Sequence, residues 1–89
     1  MKKLYSLISY ENTNTYHLFE YKFDSLLRQC LIVNNISECQ SIRFQNTSAI
    51  LFKCLTKEET REKIAKIANT YPDLKICGRC VSTLYHNEN

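Results

Sequence analysis

Apolar and polar positions alternate from the start of the chain. In Lys2–Tyr10 (KKLYSLISY), Leu4, Ser6, Ile8 and Tyr10 interleave with Tyr5, Leu7 and Ser9, the period of a strand. Asn12-Thr13-Asn14-Thr15 reads as a turn and helix cap, because short polar side chains bond the exposed N–H groups of a helix start. From about Tyr16 to Leu31, Phe19, Phe23, Leu26, Leu27 and Cys30 fall at helical spacing and predict an amphipathic helix. Asn34-Asn35 breaks the pattern. Glu38–Phe44 reads as a second strand, Gln45–Thr47 as a hairpin turn and Ser48–Leu55 as a third strand. Thr56-Lys57-Glu58-Glu59 is a capping box. It opens a second helix with the stripe Ile64, Ile67, Ala68 and Tyr71, which Pro72 stops. Leu74–Val81 alternates again, and Ser82–Asn89 is either a short fifth strand or a tail.

Two strand-helix-strand halves predict one α+β domain over residues 1–89, of the ferredoxin-like β-α-β-β-α-β kind. Its four-stranded antiparallel sheet would carry both helices on one face. The other face, with Tyr5, Leu7, Leu51 and Cys77 as candidate apolar residues, would be too apolar to remain in water, so a homodimer is expected.

Composition narrows the chemistry. With a single glycine among 89 residues, neither a dinucleotide fingerprint nor a P-loop can be built. The apolar runs are too short to span a bilayer, so no membrane partner is expected and the chain reads as cytoplasmic. Five cysteines, an odd number, are expected as reduced thiols. A net charge of +3 permits nucleic-acid contact without demanding it.

Four groups of residues can carry function. Glu11 closes the first strand beside Tyr10, Asn12 and Asn14. With its dimer mate, such a carboxylate can hold Mg²⁺, which takes only one or two protein carboxylates and can activate water on a phosphodiester. Cys77-Gly78-Arg79-Cys80 is a C-x-x-C, so a zinc knuckle comes into consideration. A structural zinc site usually needs two such pairs, and only one is present. The cysteines are therefore expected to be buried strand residues, Gly78 a bulge, and zinc is not expected. Tyr5, Tyr10 and Tyr85 can stack bases or anchor a partner. Arg43, Lys53, Lys75 and Arg79 lie on expected strands and would make a phosphate-binding strip if they share a rim.

The run Leu7-Ile8-Ser9-Tyr10-Glu11 resembles the first-strand signature of the small CRISPR-associated adaptation protein family and its stand-alone relatives. Asn46–Ile50 through Thr56-Lys57-Glu58-Glu59 is similar to that family's third strand and second helix. The resemblance implies a homodimer joined through its sheets. It places Glu11 where the family has a metal-binding Asp, and the longer side chain departs from that pattern. The function it implies is that of a nucleic-acid-associated protein in defence against foreign DNA, either a weak Mg²⁺-dependent nuclease or an architectural adaptor. The alternative is a non-catalytic regulator or inhibitor that binds a protein partner through its sheet face or edges.

Overall fold

The computed structural model describes residues 3–9, 15–40, 42–44 and 49–85. Its elements are β1 (Leu4–Ser9), β2 (Thr15–Asp24), β3 (Gln29–Ile32), β4 (Ile50–Leu55), α1 (Lys57–Thr70), β5 (Lys75–Ile76) and α2 (Gly78–Ser82), followed by a 3₁₀ turn at Thr83–Tyr85. The α+β class agrees with the sequence reading. The element order does not follow the ferredoxin-like one, because the stretch expected as the first helix forms the antiparallel β2–β3 hairpin. Phe19 and Phe23 are four residues apart, and four is close to one helical turn and also a multiple of the strand period. The aromatic run His17, Phe19, Tyr21, Phe23 satisfies the period of two and favours a pleated surface. Asp24 then makes the turn, its Oδ1 accepting the N–H groups of Leu26 (2.9 Å) and Leu27 (3.0 Å).

The strands follow the order β3-β2-β1-β4, and β5 pairs in parallel with the start of β2. The sheet is curled: Cys30 of β3 and Cys54 of β4, on strands at opposite ends of that order, have Cα atoms 6.3 Å apart and form a disulfide, a spacing such a bond requires. This corrects the expectation of reduced thiols at both positions. The β1–β4 pairing is irregular, with register shifts between Tyr5, Leu7 and Ile8. Two buried serines of β1 repair it. Ser6 Oγ accepts the Cys54 N–H and Ser9 Oγ accepts the Ala49 N–H, each at 3.1 Å, so these backbone donors are not left unpaired.

Each face of β1 and β2 carries a core. Tyr5, Leu7 and Leu18 pack with Phe52, Ile67, Cys80 and Leu84. The alternate residues Ile8, Phe19 and Tyr21 pack with Cys30, Ile32, Ile42, Phe44 and Cys54. Tyr5 and Leu7 are therefore fully covered, at 2% and 0% exposure, and do not form the open apolar face expected of them. Leu51 alone of that set is exposed.

Helix α1, expected from the sequence as the second helix, follows its sequence signals. Thr56 Oγ1 accepts the Glu59 N–H at 3.1 Å, and Glu59 Oε1 accepts the Thr56 N–H at 2.9 Å. The helix ends at a C-cap on Tyr71, just before Pro72. Ile67 and Thr60 are its buried residues, while Ala68 and Tyr71 are exposed. Arg61 fastens the 3₁₀ turn: its Nε donates to the Leu84 carbonyl at 3.0 Å, and its guanidinium lies 4.6 Å from the centre of the Tyr85 ring. The expected fourth strand survives only as Lys75–Ile76, after which the chain turns into α2.

Candidate metal centre

Three separate segments meet beside the start of β2. His17 lies on β2 and is 8% exposed. The parallel register Thr15↔Lys75, Tyr16↔Ile76 brings the β5–α2 corner alongside it, and the Cys77 N–H extends that pairing by donating to the Tyr16 carbonyl at 2.8 Å. Cys77 is the N-cap of α2 and Cys80 lies one turn inside, fully buried. Cys39 sits on the turn closed by the Ile36↔Arg43 bridge. That turn is pinned to β2 by the Glu38 N–H, which donates to the Leu18 carbonyl at 2.7 Å.

The result is a cluster of one imidazole and three thiols whose donor atoms all lie within 4.8 Å of one another. His17 Nδ1 is 3.6 Å from Cys39 Sγ and 3.7 Å from Cys80 Sγ. Zinc–sulfur and zinc–nitrogen arms of about 2.3 and 2.1 Å set tetrahedral edges of about 3.6 Å between N and S and about 3.8 Å between two S atoms. The two measured N···S distances match those edges, and the wider pairs need to close by only about 1 Å. Three soft sulfurs and one imidazole nitrogen suit Zn²⁺. Burial pushes the Cys80 thiol up from 9.0 to about 12, so in the metal-free protein this sulfur holds its proton, and a metal must displace it. Ser37, 2% exposed, supports the centre from outside. Its Oγ accepts the Ile42 N–H at 3.2 Å and lies 3.2 Å from Cys39 Sγ, where its hydroxyl can donate to the sulfur and orient it.

This cluster overturns the expectation against zinc. The C-x-x-C does not lie in a strand: a helix begins at Gly78 and carries Cys80. The second pair of ligands need not be a second C-x-x-C, because the fold supplies His17 and Cys39 from two segments far apart in sequence. Gly78 marks no bulge, and a Cβ there would meet nothing within 4 Å. The signal available in the sequence is the C-x-x-C itself. Its partners are concealed there, because the residue spacing places His17 on a helix and Cys39 on a strand.

The other predicted site residues are dispersed. Glu11, Tyr10, Asn12 and Asn14 lie outside the described residues. Arg43 is on the turn that carries Cys39, Lys53 is on β4 with its Nζ 5.8 Å from the centre of the Tyr21 ring, and Tyr85 stacks under Arg61. Lys75 and Arg79 are exposed on β5 and α2, on either side of Cys77. No described helix is long and apolar enough to cross a membrane. No family model, curated protein or solved structure matches this chain.

Proposed function

We propose that this chain is a small zinc-stabilised domain in which the metal is structural. The observation that carries this reading is the convergence of His17, Cys39, Cys77 and Cys80, four donors within 4.8 Å of one another. Four protein ligands fill a tetrahedron, and a catalytic zinc keeps one position open for water or substrate. The metal's work here is therefore architectural. It ties the start of β2, the turn around Cys39 and the β5–α2 corner into one body, none of which is held to the others by a long hydrogen-bonded ladder. A domain of this size has a modest core, and a metal is one of the usual supplements.

The test is metal analysis of the purified 89-residue chain by native mass spectrometry. One zinc per chain is expected, falling to a small fraction in Cys80→Ser and in His17→Ala. A wild-type protein that neither carries zinc nor takes it up from a buffered zinc solution defeats the proposal.

A further inference from the structure

The tip of the β2–β3 hairpin presents bare apolar side chains to water. Leu26 is 94% exposed, Leu27 60% and Phe23 56%. Single exposed apolar residues need no explanation, but three clustered at one tip do. The turn is built to hold them outward. Asp24 spends its carboxylate oxygen on the N–H groups of Leu26 and Leu27, and Arg28 takes a left-handed conformation, φ 53°, that closes the loop onto Gln29. The base is anchored by the Phe23↔Cys30 pairing and by the bond from Cys30 to Cys54. Two exposed cations, Lys22 and Arg28, flank the leucines.

We propose that this tip is a membrane-contact site that inserts Leu26 and Leu27 into the interface of an anionic bilayer, with Lys22 and Arg28 against the lipid headgroups. Two arguments favour a bilayer over a protein. A stable protein interface engages roughly 20–30 residues a side with matched shape, whereas the tip offers three convex side chains. A bilayer demands no shape complementarity, takes apolar side chains to shallow depth, and attracts neighbouring cations. The lack of a spanning helix bears on crossing a membrane and not on resting against one. The proposal is independent of the zinc centre, which lies at the other end of β2.

The experiment is co-sedimentation of the purified chain, as isolated, with phosphatidylcholine vesicles, with and without phosphatidylserine. Wild type is expected to pellet with the phosphatidylserine vesicles. The double variant Leu26→Asp/Leu27→Asp should bind about tenfold more weakly or worse. Lys22→Gln and Arg28→Gln should each weaken binding about fivefold, on anionic vesicles only. Unchanged thermal unfolding and zinc content in each variant shows that the fold is intact, as expected for changes at exposed positions. Wild type that stays in the supernatant, or a double variant that pellets as well as wild type, overturns the proposal. So does a wild-type dimer that the double variant abolishes without any vesicle binding, since the tip would then be a self-association contact.

Discussion

The two cysteine sites of this chain sit at opposite ends of β2 and close the fold by different chemistry. At the start of the strand, His17 meets Cys39, Cys77 and Cys80, donors drawn from across the chain. At its far end, Cys30, paired with Phe23, reaches Cys54 across a sequence separation of 24. The first site joins segments that share few backbone hydrogen bonds, and it lies against the core formed by Tyr5, Leu7 and Leu18. The second joins two strands of one curled sheet and belongs to the core around Phe19 and Tyr21. With zinc bound as proposed, the first depends on thiolates and is expected to be sensitive to protons and chelators. The other depends on an oxidised pair and is sensitive to reductants. Geometry thus divides the five cysteines into two sets, which the proposed zinc predicts will answer to different reagents.

Removing the metal should have the largest effect. Binding energy at a structural zinc site is folding energy, and a domain this size has a total stability of only about 5–13 kcal/mol. Treatment with a strong chelator is expected to lower the unfolding temperature by about 20 °C or more, read by circular dichroism. The two states should also respond to pH with opposite sign. In the metal-free protein the folded-state pKa of Cys80 is raised above its unfolded value. Its contribution is fully present below pH 9.0 and is lost as pH rises toward about 12. In the zinc-loaded protein the thiolates are required, so stability is lost on acidification as protons compete with the metal. Equal acid sensitivity with and without chelator would remove the metal from the explanation.

Opening the disulfide should cost less. A loop of this length predicts a loss of about 3 kcal/mol, or about 15 °C. A phosphine reductant that does not bind zinc, or Cys30→Ser, is expected to lower the unfolding temperature by that amount while leaving the zinc content unchanged. If zinc is lost in parallel, the two ends of β2 are coupled and the division between the sites fails.

The same contrast explains what could be read from the sequence. Helix α1 is legible because its start is encoded within four consecutive residues, Thr56 to Glu59, and its stop by Pro72. The first hairpin is not. Spacings of four between Phe19, Phe23 and Leu27 suit a helix and a strand alike, and the choice is made by pairing with the two flanking strands, Leu4–Ser9 on one side and Gln29–Ile32 on the other. The site is hidden by the same ambiguity. Once His17 is placed on a helix, nothing in the linear sequence brings it beside Cys77. It is the parallel register of Tyr16 with Ile76 that does so. Half of the metal centre, the C-x-x-C, is local and visible, while the other half is a property of the topology. The disulfide is of the second kind too, since Cys30 and Cys54 approach only because the sheet curls.

The smallest expected effect tests the local end of that contrast. The capping box is a reciprocal pair of hydrogen bonds at the exposed start of α1, and Thr60, buried one turn later, donates its hydroxyl to the Leu55 carbonyl at 3.4 Å. Thr56→Ala removes the acceptor for the Glu59 N–H and leaves that donor to water, which predicts a loss of about 1 kcal/mol and a fall of about 5 °C in unfolding temperature. Zinc content should not change, because α1 contributes no ligand and reaches the centre only through the shared core. Thr56→Ser retains the acceptor and should recover most of the loss. If Thr56→Ala instead lowers zinc occupancy, the helix start helps position the β5–α2 corner, and the boundary between locally encoded structure and the topology-built site must be redrawn to include α1.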